Sequence, residues 1–435
     1  EGGNISITAN GNITTGSLTS FVDKDGQGNA GDIQVSSNTG NITIGRPINS
    51  ESSNGVAGGI TLKAAGDIRT DNIIASSKTD DQGFSTIQLE SLQGSVFLDR
   101  VRLSTTNTGS NYAGDIYING KNIEINNTGF GENQGIQSKG AGGRVFIGID
   151  DKGNVTADNV TIRNSQVDTL RDRDLNSNLL PIDDGINISS RGEIEILEGS
   201  KLITTTTSTA RSGSVTLNAK GSVSLSNGAE LRVNTGGRGQ GDAGEIKINA
   251  KQLSLSSNSG LIGDVDPVAP GVNPIRNPKG ASINLDVTGE ILLDGTGEKI
   301  AQSGESTRIT VGILADQNGR QGRGTGGDIT IKAGSLVLKN GAILKSSTQG
   351  QGDAGPIRVD ADVVDISGSV AGSGLPSGFF TSTSTDGKAG DITVNTRIFR
   401  ITDGAALSAR TTGNGQGGTV TVRNPMPKGR GLKKP

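Results

Sequence analysis

Apolar residues in this chain come in short alternating runs, and most runs open on glycine. Gly31-Asp32-Ile33-Gln34-Val35 returns as Gly114-Asp115-Ile116-Tyr117-Ile118, Gly327-Asp328-Ile329-Thr330-Ile331 and Gly390-Asp391-Ile392-Thr393-Val394. Looser copies begin at Gly59, Gly213, Gly244 and Gly418. Marked by their first apolar residue, the copies fall at 5, 33, 60, 87, 116, 145, 186, 215, 246, 283, 329, 357, 392 and 420. Nine of the thirteen steps between them are 27 to 31 residues long, so the period belongs to the chain as a whole. A fixed period of this size marks a repeat architecture.

Within one repeat the apolar period is two, the mark of strands with one face inward. Ile246 and Ile248 alternate with Glu245, Lys247 and Asn249, and Leu253 and Leu255 then alternate with Gln252, Ser254 and Ser256. A third strand follows a tight turn, as in Leu225-Ser226-Asn227-Gly228-Ala229-Glu230-Leu231 and its echoes at 338–344 and 401–407. Asn-Gly and Asp-Gly tolerate positive φ and let the chain corner sharply. The same dipeptides also suit hairpins, which leaves a sandwich or propeller as the competing architecture. The long period argues instead that each strand stacks on its equivalent in the next repeat.

The predicted fold is therefore all-β: a single right-handed parallel β-helix of about fourteen three-strand coils. It spans residues 1–423, with loop insertions near 163–184, 262–280 and 294–312 and a basic, frayed tail at 424–435. The insertions follow from the long steps of 41, 37 and 46 residues. Pro267, Pro270, Pro274 and Pro278 cannot all sit in stacked central strands, which supports the second insertion. A lone coil buries too few aliphatics to offset the cost of ordering its backbone, so stability must accrue at the interfaces between coils.

Composition narrows the functional classes. There is no Cys and no His, which removes disulfides, Cys-based zinc sites and the commonest general base. Net charge is −3 with mixed signs and aromatics are 2%, so neither a basic stripe nor a stacking platform for nucleic acid is expected. No apolar run approaches the roughly 20 residues of a membrane helix. Residue 1 is Glu and the only methionine is Met426, so the chain is expected to be a segment of a longer protein.

The loop Gly239-Gln240-Gly241-Asp242-Ala243-Gly244 recurs at 26–31 and 350–355. No helix and no lysine follow it as a phosphate loop requires, so it is read as a structural corner. The motif Gly-Gln-Gly-Asp-Ala-Gly-Glu-Ile-Lys-Ile-Asn-Ala at 239–250, with Gln252-Leu253-Ser254-Leu255, resembles the repeats of large bacterial exoproteins of the filamentous-haemagglutinin family, in a form similar to those abundant in cyanobacteria. That resemblance covers essentially the whole chain. It implies secretion by the two-partner route through an outer-membrane barrel transporter, an extracellular or cell-surface location, and a role in adhesion to surface glycans or other cells. The family's amino-terminal secretion domain is not identifiable here.

The expected function is thus a structural and adhesive rod without enzymatic activity, cofactor or metal, and no residue is assigned to a catalytic or binding site. Three alternatives stand beside it: a stalk for contact-dependent toxin delivery, a sheath component, and a β-helical polysaccharide lyase or hydrolase. An enzyme of that kind needs clustered carboxylates. The position before the first apolar residue reads Asn4, Asp32, Gly59, Thr86, Asp115, Arg144, Gly185, Ser214, Glu245, Ser282, Asp328, Pro356, Asp391 and Thr419, with no two acids adjacent. Other polar concentrations are Arg171-Asp172-Arg173-Asp174 with Asp183-Asp184, read as solvated surface, and Asp99-Arg100-Val101-Arg102, placed on a strand. Thr204 to Thr207, Ser346-Ser347-Thr348 and Thr381 to Thr385 are placed on outward segments, as a hydroxyl-rich face or simply as residues suited to exposed strands.

Overall fold

The computed structural model describes residues 2–79, 83, 85–129, 135–174, 185–236, 241–265, 279–296, 308–313, 324–349, 352–384 and 386–424. These form 37 strands and no helix. One 24-stranded sheet carries two series of strands, and a 13-stranded sheet carries a third. All pairings between named strands are parallel, and each strand pairs with its equivalent one repeat away. Successive strands such as Ser222–Ser226 and Glu230–Thr235 lie in different sheets, so the Asn227-Gly228 corner does not close a hairpin.

The register follows the sequence period step by step. Ile5 is paired with Ile33, Ile33 with Ile60, Ile60 with Ile87, Ile87 with Ile116, Ile116 with Val145 and Val145 with Ile186. The same line continues through Val215, Ile246, Ile283, Ile329, Ile357 and Ile392 to Val420. The second series stacks Ile13, Ile42, Ile68, Val96 and Ile123. The third stacks Leu18, Ile48, Ile73, Leu103, Ile136 and Val167. These columns face one another in a single continuous core, where residues such as Ile33, Ile42 and Ile48 are wholly buried. The arrangement is a nearly closed parallel solenoid. The core is built mainly of Ile, Val and Leu, with Phe379 as an aromatic exception.

The corner before the third strand takes positive φ, as the Asn-Gly and Asp-Gly pairs predict: Asn227 (55°) and Gly228 (78°), Asn340 (56°) and Gly341 (88°), Asp403 (53°) and Gly404 (81°). Other coils make the turn without that signal. Arg100, Asn164 and Glu198 hold φ of 57°, 45° and 55°. Arg100 therefore does not continue a strand, as its sequence suggested; strand Val96–Asp99 ends before it. Left-handed backbone is costly for a long side chain, so here stacking on neighbouring coils imposes the corner.

Three coils depart from the two-strand reading of the first sheet. Ser282–Asp294, Ile329–Lys339 and Ile357–Ser367 each run the first and second strands together as one element. The first of them changes register between Val287 and Glu290. The extra residues of the 41-residue step divide between two places. One part is the turn at 148–158, closed by an antiparallel bridge of Ile149 with Val155, and the other follows strand Gln166–Arg171. Residues 175–184, 266–278 and 297–307, which hold the end of the first expected insertion and most of the other two, and the tail at 425–435 lie outside the described residues. The flanks of those insertions belong to strands Gly260–Val265 and Arg308–Ile313.

Candidate functional site

The recurring Gly-Asp motif joins one coil to the next. Asp32 Oδ1 accepts from the Gly59 N–H at 2.8 Å, and Asp391 Oδ1 accepts from the Thr419 N–H at 2.8 Å. In the glycine loops Asn29 accepts from Val56 N–H at 2.9 Å, Asp242 from Lys279 N–H at 2.8 Å and Asp353 from Lys388 N–H at 2.7 Å. Each side chain thus satisfies a backbone donor that the ladder leaves open at a corner. The Thr419 N–H bond, more than any other influence, holds the Asp391 carboxyl below its ordinary value. These acids are occupied as staples. Sequence spacing showed that they do not cluster but not what they hold.

The hydroxyl-rich strands require a correction. Thr204, Thr206, Ser346, Thr348, Thr381 and Thr383 are buried to within 2% exposure, and only the alternate residues face out. Thr204 Oγ1 donates to Gly213 O at 2.8 Å, Ser346 Oγ to Gly327 O at 3.3 Å, and Thr381 Oγ1 to Gly390 O. Glycine corners bring bare carbonyls into the interior, and a buried carbonyl needs a donor. The small hydroxyls supply it, so these runs do not form an outward hydroxyl face.

The charged run at 171–174 is likewise tied into the scaffold. Arg171 is buried, Arg173 pairs with Asp172 at 2.7 Å and reaches Thr108 O, and Asp174 accepts from Thr209 N–H at 2.9 Å. Asp183 and Asp184 lie outside the described residues. Asp115, in the position before the apolar column, pairs with Arg144 of the next coil. Among the described residues no three acids converge closely enough to hold a metal ion.

Two of the few aromatics meet on the outer face: Tyr117 and Phe146 stack with centroids 4.8 Å apart and planes within 9°. The Arg144 guanidinium lies over Phe146 at 5.2 Å. The rings face each other along the stack, so the pair is a cross-coil ladder rather than an open platform. Burial, reinforced by the neighbouring Asp115, pushes the Tyr117 hydroxyl up to about 12.

Among the described residues, Asp168 is the one carboxyl pushed strongly upward. Burial raises it to about 6, opposed by a hydrogen bond from Gln137 Nε2 at 3.3 Å and by Lys139. Because the folded value exceeds the ordinary one of 3.8, the protonated acid favours folding. That stability is present below about pH 4 and is lost as the pH rises through about 6. Asp168→Asn should therefore stabilise the fold at neutral pH by about 1–2 kcal/mol, because the amide carries no charge to bury. Urea midpoints at acid and neutral pH check this; an equal effect at both would refute it.

Among the depressions of the outer surface, two have a lining that bears on function. One, of about 610 Å³, runs beside Asn218, Asn249, Asp286, Lys220 and Lys251. Its amides are spoken for, since Asn249 Nδ2 donates to Asn218 Oδ1 at 2.6 Å. The other, of about 580 Å³, lies on the 13-stranded sheet under a loop spanning 368–377. That loop folds on itself through an antiparallel bridge of Ser369 with Pro376 and a bond from Val370 N–H to Leu375 O at 2.8 Å. It walls a floor made by Lys345, Phe380 and Ser408, which stand side by side in register. Nothing in the repeat pattern signalled this pocket, because its wall comes from a 35-residue step with no motif of its own.

The fold makes this a repeat protein of the parallel β-solenoid class. No protein-family model, curated protein or solved structure matches the chain. No helix among the described residues is long and apolar enough to cross a membrane.

Proposed function

We propose that the chain is a right-handed parallel β-helix of about fourteen coils serving as the extracellular, adhesive rod of a secreted bacterial exoprotein. The supporting observation is the unbroken parallel register from Ile5 to Val420, which gives a stiff element with side-chain staples between coils. At about 4.8 Å per coil the rod is roughly 65–70 Å long. Several of its acids are engaged in such staples or in ion pairs with a neighbouring coil, as Lys63 with Glu90 at 2.8 Å, which favours a scaffold over a polysaccharide-cleaving enzyme. The surface location, export through an outer-membrane barrel and attachment to glycans or other cells rest on the resemblance of the Gly-Gln-Gly-Asp-Ala-Gly repeats to the filamentous-haemagglutinin family, an argument by analogy.

Deleting these coils from the native gene should reduce attachment and aggregation of the producing cells while leaving growth unchanged. Unchanged attachment would remove the adhesive reading. Release of unsaturated sugars from an acidic polysaccharide by the purified chain would replace it with the enzyme.

A further inference from the structure

We propose that the pocket under the 368–377 loop binds a small amphiphilic carboxylate, an alkyl or aryl acid, with its apolar body against the loop and its charge between two cations. Val370, Leu375, Pro376 and Phe380 line one side, and Lys345 and Arg410 stand at the floor. The volume of about 580 Å³ lies within the range of small-ligand sites.

Charge selects the ligand. No ion pair joins Lys345 or Arg410 to an acid among the described residues, so both charges stand available to a ligand, unlike cations such as Lys63, Arg144 and Lys339, which are paired with acids of a neighbouring coil. Neither Asp nor Glu lines the pocket. Lys345 is level with Phe380 and Ser408, while Arg410 lies two residues further along and level with Ser382. At about 4.8 Å per strand and 3.3 Å per residue, the two Cα atoms are separated by roughly 12 Å. Both long side chains can therefore converge above Ser382, beside the Phe380 ring. A carboxylate held there would meet charge-assisted donors from both sides.

The wall is built to persist. Val370 is 5% exposed and seats against Gly341, where a Cβ would come within 2.1 Å of Val370 Cγ2. Gly341 N–H is held by Ser377 Oγ at 2.8 Å, and that hydroxyl donates to Ser367 O at 2.7 Å. Leu375, by contrast, is 54% exposed and presents an uncovered apolar surface at the mouth. A preformed apolar wall over an unpartnered pair of cations fits a ligand that carries both features.

The test uses the full chain and calorimetric titration with 1-naphthoate and its neutral isostere 1-naphthamide. Naphthoate should bind about tenfold more tightly than the amide. The double variant Lys345→Gln/Arg410→Gln should lose that preference, and Leu375→Asp should weaken both ligands while the circular dichroism stays unchanged. Equal affinity for acid and amide, or an unchanged preference in the double variant, would overturn the proposal. A second arm separates the source of the ligand: decanoate below its micelle concentration against phosphatidylcholine vesicles carrying oleate. Binding of decanoate supports the pocket; retention on vesicles with no binding of decanoate or naphthoate would overturn it in favour of a membrane contact.

Discussion

Replacing Gly355 with alanine should destabilise the solenoid by about 2–4 kcal/mol, one of the largest single-residue effects available in it. A Cβ at this residue would lie 2.0 Å from the carbonyl oxygen of Gly327 in the preceding coil. Gly390 stands in the same relation to Gly355, at 2.0 Å, and Gly418 to Gly390, at 2.2 Å. The recurring beat of glycine along the chain is thus a column of close backbone approaches. A methyl group there must push two coils apart and lengthen the hydrogen bonds around it. Ser85 and Ala281 occupy the same column in other coils, so a local shift can accommodate a side chain and the cost is finite. Gly16 is the control, since its Cβ would meet nothing within 4 Å. Urea denaturation of both variants checks the argument, and similar midpoints would refute it. Because coils contact only their neighbours, local loosening should precede global unfolding; proteolysis beside Gly355 would report it first.

Phe379→Ala should cost about 3–5 kcal/mol. Phe379 is wholly buried, the largest such side chain in the core, and its register neighbours are Leu344 and Leu407. Removing the ring empties a volume that aliphatic neighbours fixed on adjacent strands cannot fill. Phe21 provides the contrast: it also lies on a third-series strand but points outward at 62% exposure, and Phe21→Ala should change stability by no more than about 0.5 kcal/mol. Thermal midpoints of the two variants test the pair. Equal losses would refute the assignment of inward and outward positions on the 13-stranded sheet.

Most of the solenoid was legible in the sequence because its rule is local and repeated. Alternation named the inward residues, and the steps between glycine-led runs named the partners, so that Ile246 could be set beside Ile283 across an interval of 37 residues. The Asn-Gly corners could be read for the same reason, since positive φ restricts residue choice at that point. What could not be read were the contacts that depend on the neighbouring coil. Thr204 and Thr206 are β-formers in sequence whether they face in or out. Only the carbonyl of Gly213, brought inside by its corner, shows why Thr204 is buried.

The same division holds at the surface. The sequence by itself determined a parallel stack of short strands, because apolar alternation and period are carried by every repeat. Tertiary structure alone decided that Asp32 and Asp391 bind backbone amides of the next coil and that Glu198 adopts a left-handed corner. It also decided that Lys345, Phe380 and Arg410 share one pocket with a loop that belongs to no motif. Those outcomes depend on distances between coils, and residues 27 or more apart in sequence come within bonding reach only once the coils have stacked.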